Sequence, residues 1–141
     1  MKQRYLLDTN IISHMMVNPD GMVAKRAEAA LLGPDQPQLC TSVVVHCELA
    51  FGIKKRGSTR LQAALDAQFD SLVVLSLDDD VAIHYAALRT HLEAIGQSIG
   101  ANDTLIAAHA LCLDATLVSA DVEFLRVPGL RVENWLTMQS E

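Results

Sequence analysis

Short apolar runs alternating with stretches of strong helix formers constrain this chain more than any other feature. RYLLD (residues 4–8), LCT (39–41), SLVVLSL (71–77) and TLVS (116–119) each read as a short buried strand, and LRVENW (130–135) suggests a last one after the Pro128-Gly129 turn. The intervening segments carry helical periodicity. MVAKRAEAALL (22–32) is closed by Gly33-Pro34, and Ser42 caps a helix from 43 to about 55 that ends at Gly57-Ser58. Residues 59–70 place Leu61, Leu65, Phe69 and Leu72 on one face. Asp78, Asp79 and Asp80 open a helix whose buried stripe is Val81, Tyr85, Leu88, Leu92 and Ile95, the acids matching the positive end of its dipole. Asn102 caps an alanine-rich helix over 103–113, and Asn10 caps a short one after the first strand.

Alternating strands and helices predict an α/β fold, with a parallel sheet covered by helices on both faces. Ligands of such sheets sit beyond the carboxyl ends of the strands, at the switch in strand order. Asp8 and Asp121 both follow strands, so chemistry is expected there. With 141 residues and no internal repeat or linker, residues 1–141 read as a single domain. Half the residues are hydrophobic and 20% are charged, which suits a packed globule.

Four acids stand where a charge has little structural reason to be. Asp8 ends a buried strand, Glu48 interrupts the apolar helix VVVHCELAFGI, Asp103 starts the hydrophobic TLIAAHALCL helix, and Asp121 follows a strand. Taken singly, a strand-end Asp can cap the next helix and a first-turn Asp can answer the dipole. Glu48 is harder to explain, because a lone buried carboxylate costs several kcal/mol unless paired or bound to a metal; Lys25, Arg89 and Lys54 are the candidate partners. Should the four converge, two unit charges about 4 Å apart repel by roughly 4 kcal/mol at an effective dielectric near 20. Such a cluster demands a cation, and all-oxygen ligation favours Mg²⁺ or Mn²⁺ over zinc. A cation of that kind suits phosphodiester hydrolysis with water as nucleophile.

Other chemistries lack their signatures. Cys40, Cys47 and Cys112 lie apart in apolar stretches and read as reduced core residues. His14, His46, His84, His91 and His109 form neither HExxH nor HxH, and read as structural or surface residues. No GxGxxG, GxxxxGK[ST] or GxSxG occurs. A net charge of −6 argues against unspecific coating of nucleic acid but leaves a nuclease open, since the acids can be gathered at one cation site. Lys54, Lys55, Arg56 and Arg60 form the one basic cluster, read as a solvated helix end or a phosphate contact. No membrane span or signal peptide is seen, and the expected location is the cytoplasm.

LLDTNIISHM, SVVVHCELAFGI, IGANDTLIAAHAL, and ATLVSADVEF with VPGLRVENW together resemble a PIN domain, more narrowly the VapC-type toxins of bacterial type II toxin–antitoxin systems. The resemblance spans almost the whole chain. It implies a three-layer, Rossmann-like fold with a central parallel sheet of four to five strands. It assigns the family's acids to Asp8, Glu48, Asp103 and, with Glu123 as alternative, Asp121; Thr9, Asn10 and Ser119 take supporting places. It further implies Mg²⁺ or Mn²⁺ dependence, endonuclease activity on a structured RNA with tRNA among the candidates, a homodimer, and a VapB-like antitoxin whose peptide blocks the site. The apolar surplus at Ile11, Ile12, Met15, Met16, Val17 and Met22 fits a groove for that partner. Competing readings are a phosphoacceptor (receiver-like) switch and a non-catalytic RNA- or partner-binding module. The first lacks the usual late lysine, since none follows Lys55.

Overall fold

The computed structural model describes residues 3–137. Twelve elements follow in order: β1 (Arg4–Leu7), α1 (Thr9–Val17), α2 (Met22–Leu32), β2 (Gln38–Ser42), α3 (Val43–Arg56), α4 (Thr59–Gln68), β3 (Val73–Leu75), α5 (Asp79–Ala94), α6 (Ala101–Leu113), β4 (Thr116–Val118), a 3₁₀ turn (Val122–Arg126) and β5 (Val132–Glu133). The five strands form one sheet in the order β3-β2-β1-β4-β5, and every neighbouring pair is parallel. This is the α/β architecture expected from the sequence.

Strand order turns around at β1. From β1 the chain steps outward through β2 to β3, then returns across the sheet to β4 and β5. Because parallel crossovers are right-handed, the two directions of travel put their helices on opposite faces. α1 packs against α2, α3 and α4, while α5 packs on α6. The switch between β1 and β4 opens a crevice at the carboxyl ends of these strands, directly after Leu7 and Val118.

The core follows the apolar pattern, with Leu6, Leu7, Ile106, Leu117 and Phe124 fully buried. α6 is buried nearly all round (Ile106, Ala107, Ala108, His109 and Ala110), as its continuous apolar character requires. Ser42 caps α3 as expected, its side chain accepting from Val44 N–H, and Gly57 ends that helix in the left-handed region at φ 64°.

Several expectations need correction. Asn10 lies inside α1, with Asp8 at the N-cap position. α6 starts at Ala101 with Gly100 as cap, so Asn102 does not cap it; Thr104 Oγ1 instead donates to Gly100 O at 2.8 Å. α4 stops at Gln68, β3 keeps three residues, and β4 ends before Ser119. Ile95 is exposed, at the C-cap of α5 just past its last helical residue. Cys47 is exposed rather than core, since α3 turns it away from the sheet. Among the described residues no helix is long and apolar enough to cross a membrane.

Candidate active site

Asp8 stands one residue past β1, and its backbone N–H donates to Val118 O of β4 at 2.9 Å, so the sheet itself fixes where the side chain emerges. The residue is 4% exposed. Although it holds the N-cap position, its carboxylate makes no capping bond. Oδ2 accepts instead from Ser119 Oγ at 2.7 Å and from Asn10 Nδ2 at 3.3 Å. Asn10 is fixed in turn, its Oδ1 accepting from Ala120 N–H at 3.1 Å. The DTN opening and the serine after β4 are thus stitched together across the crevice. Burial pushes the Asp8 carboxyl above its ordinary value; the Ser119 and Thr9 hydrogen bonds oppose this, and the charges of Glu48 and Asp121 add to it.

Glu48 is half-buried on α3, less enclosed than its apolar neighbours suggest, because it borders the groove between α1 and α3. Its partner is none of Lys25, Lys54 or Arg89. Thr9 Oγ1 donates to Glu48 Oε1 at 2.8 Å, a neutral bond that leaves the charge uncompensated. Arg89 pairs with Glu93 on the surface.

Asp103 occupies the first turn of α6 and is half-buried. Its carboxyl is pushed up to about 6, first by burial and then by the charges of Asp8, Asp121, Glu48 and Glu123. All four of those acids therefore stand near enough to Asp103 to be felt there. Asp121 caps the 3₁₀ turn, its Oδ1 accepting from Glu123 N–H at 2.9 Å, while its own N–H donates to Ser119 Oγ at 3.0 Å. Capping and membership of the cluster coexist.

Each of Asp103, Asp121 and Glu123 offers an oxygen, and these oxygens all lie within 4.8 Å of one another. The sequence sets Glu123 against Asp121 as alternatives, whereas the structure brings both to Asp103. Asp121 stands at the N-cap of the 3₁₀ turn and Glu123 in its first turn, and both side chains reach Asp103 from there. Glu123 also meets Arg126 at 3.5 Å on the surface. Among the described residues no cation pairs with Asp8, Glu48, Asp103 or Asp121. Carboxylate oxygens at this spacing, two of the three without a cationic partner among the described residues and with the Asp103 carboxyl holding its proton to about pH 6, suit a hard divalent cation.

Beside Glu48 a groove of about 300 Å³ runs between α1 and α3, lined by Thr9, Met16, Leu49, Ile53 and Arg56 among others. Of the apolar residues assigned to a partner groove, Ile11 and Ile12 are fully buried core, Met15 and Met16 are half-buried, and Val17 and Met22 are exposed. In the basic cluster, Lys54 and Lys55 face solvent and only Arg56 borders the groove.

A PIN domain model matches residues 5–130. Ribonuclease VapC2 of Rickettsia felis is 35% identical over 133 residues, covering 93% of this chain and 97% of that protein. The tRNA(fMet)-specific endonuclease VapC of Salmonella typhimurium is 29% identical over 134 residues, covering 94% and 98%. Among solved structures, VapBC2 from Rickettsia felis bound to a DNA fragment from its promoter superposes with a TM-score of 0.86 at 32% identity, covering 94% of this chain and 99% of that one.

Proposed function

The chain belongs to the PIN domain family, and from that premise we propose that it is a metal-dependent endoribonuclease, the toxin of a toxin–antitoxin pair, cutting a structured RNA with tRNA as the first substrate to test. The observation that carries this reading is the convergence of Asp103, Asp121 and Glu123, flanked by Asp8 and Glu48, at the switch between β1 and β4.

Asp8, Asp103, Asp121 and Glu123 would hold Mg²⁺ or Mn²⁺, with Glu48 beside them. A divalent cation supplies charge stabilisation at the scissile phosphate and lowers the pKa of water. The protein's own part is positional. Ser119 and Asn10 fix Asp8 Oδ2, so one carboxylate is preorganised before substrate arrives. Thr9 fixes Glu48 through Oε1, leaving Oε2 to orient the attacking water and accept its proton. Leu49 and Ile53 form the apolar wall of the groove that Glu48 borders.

The groove beside Glu48 gives an antitoxin peptide a place to lie, and an occupant reaching its open end would cover the carboxylates and exclude RNA. A homodimer would bury the exposed apolar residues Phe51 and Leu77, which line one surface depression together with Val43, Cys47 and Leu105.

Incubation of the purified protein with total tRNA and Mg²⁺, in parallel with Asp8→Ala, tests the activity. Discrete cleavage by the parent and none by the folded variant is expected. Equal cutting by both under matched Mg²⁺ would remove Asp8 from the chemistry.

A further inference from the structure

His109 is an ionisable side chain that the proposed chemistry does not use. It is 1% exposed on α6, six residues and about 9 Å along the helix from Asp103. Its Nδ1 lies 2.8 Å from Ser42 Oγ, and that oxygen accepts from Val44 N–H at 3.1 Å as the N-cap of α3. The ring also bonds the Ser76 backbone, and burial holds its pKa below the ordinary histidine value. A neutral ring offers one acceptor and one donor, so this network assigns the tautomer: Ser42 O–H donates to Nδ1, and the Nε2–H serves Ser76. Every polar atom of the buried pair is then satisfied.

This chain of bonds joins the two helices that present the central carboxylates. Val44 lies one turn before Glu48 on the same side of α3, and Asp103 opens the helix that carries His109. Among the described residues no other side-chain hydrogen bond joins α3 to α6. Glu48 is held only from α1, through Thr9, and among the described residues the Asp103 side chain has no hydrogen-bond donor. We propose that His109 is a positioning residue for the carboxylate cluster, fixing the first turn of α3 against α6 through Ser42 and thereby setting Glu48 relative to Asp103. This rests on the cation-binding reading of the cluster given above.

The test compares His109→Leu, which keeps bulk but loses both bonds, with His109→Gln, which can still accept from Ser42. Mn²⁺ affinity of the whole protein is read by calorimetry, with kcat and KM on RNA alongside. His109→Leu is expected to weaken Mn²⁺ and lower kcat by about 10-fold each, with KM unchanged, and His109→Gln to recover most of both. A folded His109→Leu with parental affinity and kcat would overturn the proposal. Equal losses in the two variants would also overturn it, because bulk rather than the hydrogen bond would then matter. Should His109→Leu not fold, His109→Met loses the same bonds with a more adaptable apolar side chain and leaves the Ser42 cap of α3 in place; it is expected to show the same loss, and parental values there overturn the proposal. A parent that binds Mn²⁺ but cuts no RNA would sink the ribonuclease reading while leaving this comparison readable through affinity.

Discussion

The two flanks of the carboxylate cluster are built differently. Asp8 is held on the rigid side, with its backbone in the sheet, its side chain 4% exposed and Oδ2 bonded by both Ser119 and Asn10. Asp121 and Glu123 belong to the 3₁₀ turn that follows Ser119, half-buried, the first occupied as its cap and the second shared with surface Arg126. A fixed carboxylate beside a more adaptable pair is a sensible division for a cation site. One side supplies preorganisation, and the other can close around the ion at little cost in strain.

Neutralising each flank in turn tests that contrast most severely. Asp8→Asn is expected to lower the rate of RNA cutting on the order of 10³-fold, the scale seen when a group aimed at developing charge is removed. Asp121→Asn keeps a good N-cap and should cost about 10²-fold, with little change in melting temperature. A larger loss from Asp121→Asn than from Asp8→Asn, both assayed in single turnover, would reverse the assignment of rigid and adaptable sides.

Removing the clamp rather than the carboxylate should have a smaller effect. Ser119→Ala deletes the bonds to Asp8 Oδ2 and Asp121 N–H, and a fall in Mn²⁺ affinity of about 10-fold is expected. Chemical denaturation should show a loss of roughly 1–2 kcal/mol from the buried groups left unpaired. Parental affinity in this variant would show that Asp8 needs no clamp.

Much of this arrangement was legible in the residues. α2 runs over Met22–Leu32 as read, because helix formers fill it and Gly33-Pro34 stops it. Asp8, Glu48 and Asp103 stand out in the sequence because each interrupts an apolar stretch; in the fold Asp103 feels the charges of the other two, while its close group is with Asp121 and Glu123. Glu123 was undervalued because its placement depends on a 3₁₀ turn that has no apolar period to announce it. Ile11 and Ile12 looked like groove residues because composition alone does not say which side of α1 meets the sheet. Asn102 was misread as the cap because α6 begins earlier, at Ala101, with Gly100 as an N-cap that makes no side-chain bond. Partners fixed by tertiary approach, such as Thr9 for Glu48, leave no local trace at all.

The smallest expected effect concerns pH. The raised carboxyl of Asp103 favours its neutral form in the fold, so its contribution to stability is complete below its ordinary value of 3.8 and is lost as pH rises through about 6. Metal-free protein should therefore melt higher near pH 5 than near pH 7. Asp103→Asn should gain about 1 kcal/mol, or ~3 °C, at neutral pH, a figure already reduced for solvent screening. Scanning calorimetry in a chelator checks both; a parent that melts lower at pH 5 would mean that the acids are not in mutual repulsion.

Titration of the parent chain and Asp103→Asn with Mn²⁺ at neutral pH by isothermal calorimetry bears most directly on the shared cation. The account predicts saturable binding by the parent, weakening as pH falls through about 6 when Asp103 takes up its proton, and binding at least about 10-fold weaker in the variant. A parent that binds no Mn²⁺, or a variant that binds it equally well, would contradict a cation held between these carboxylates.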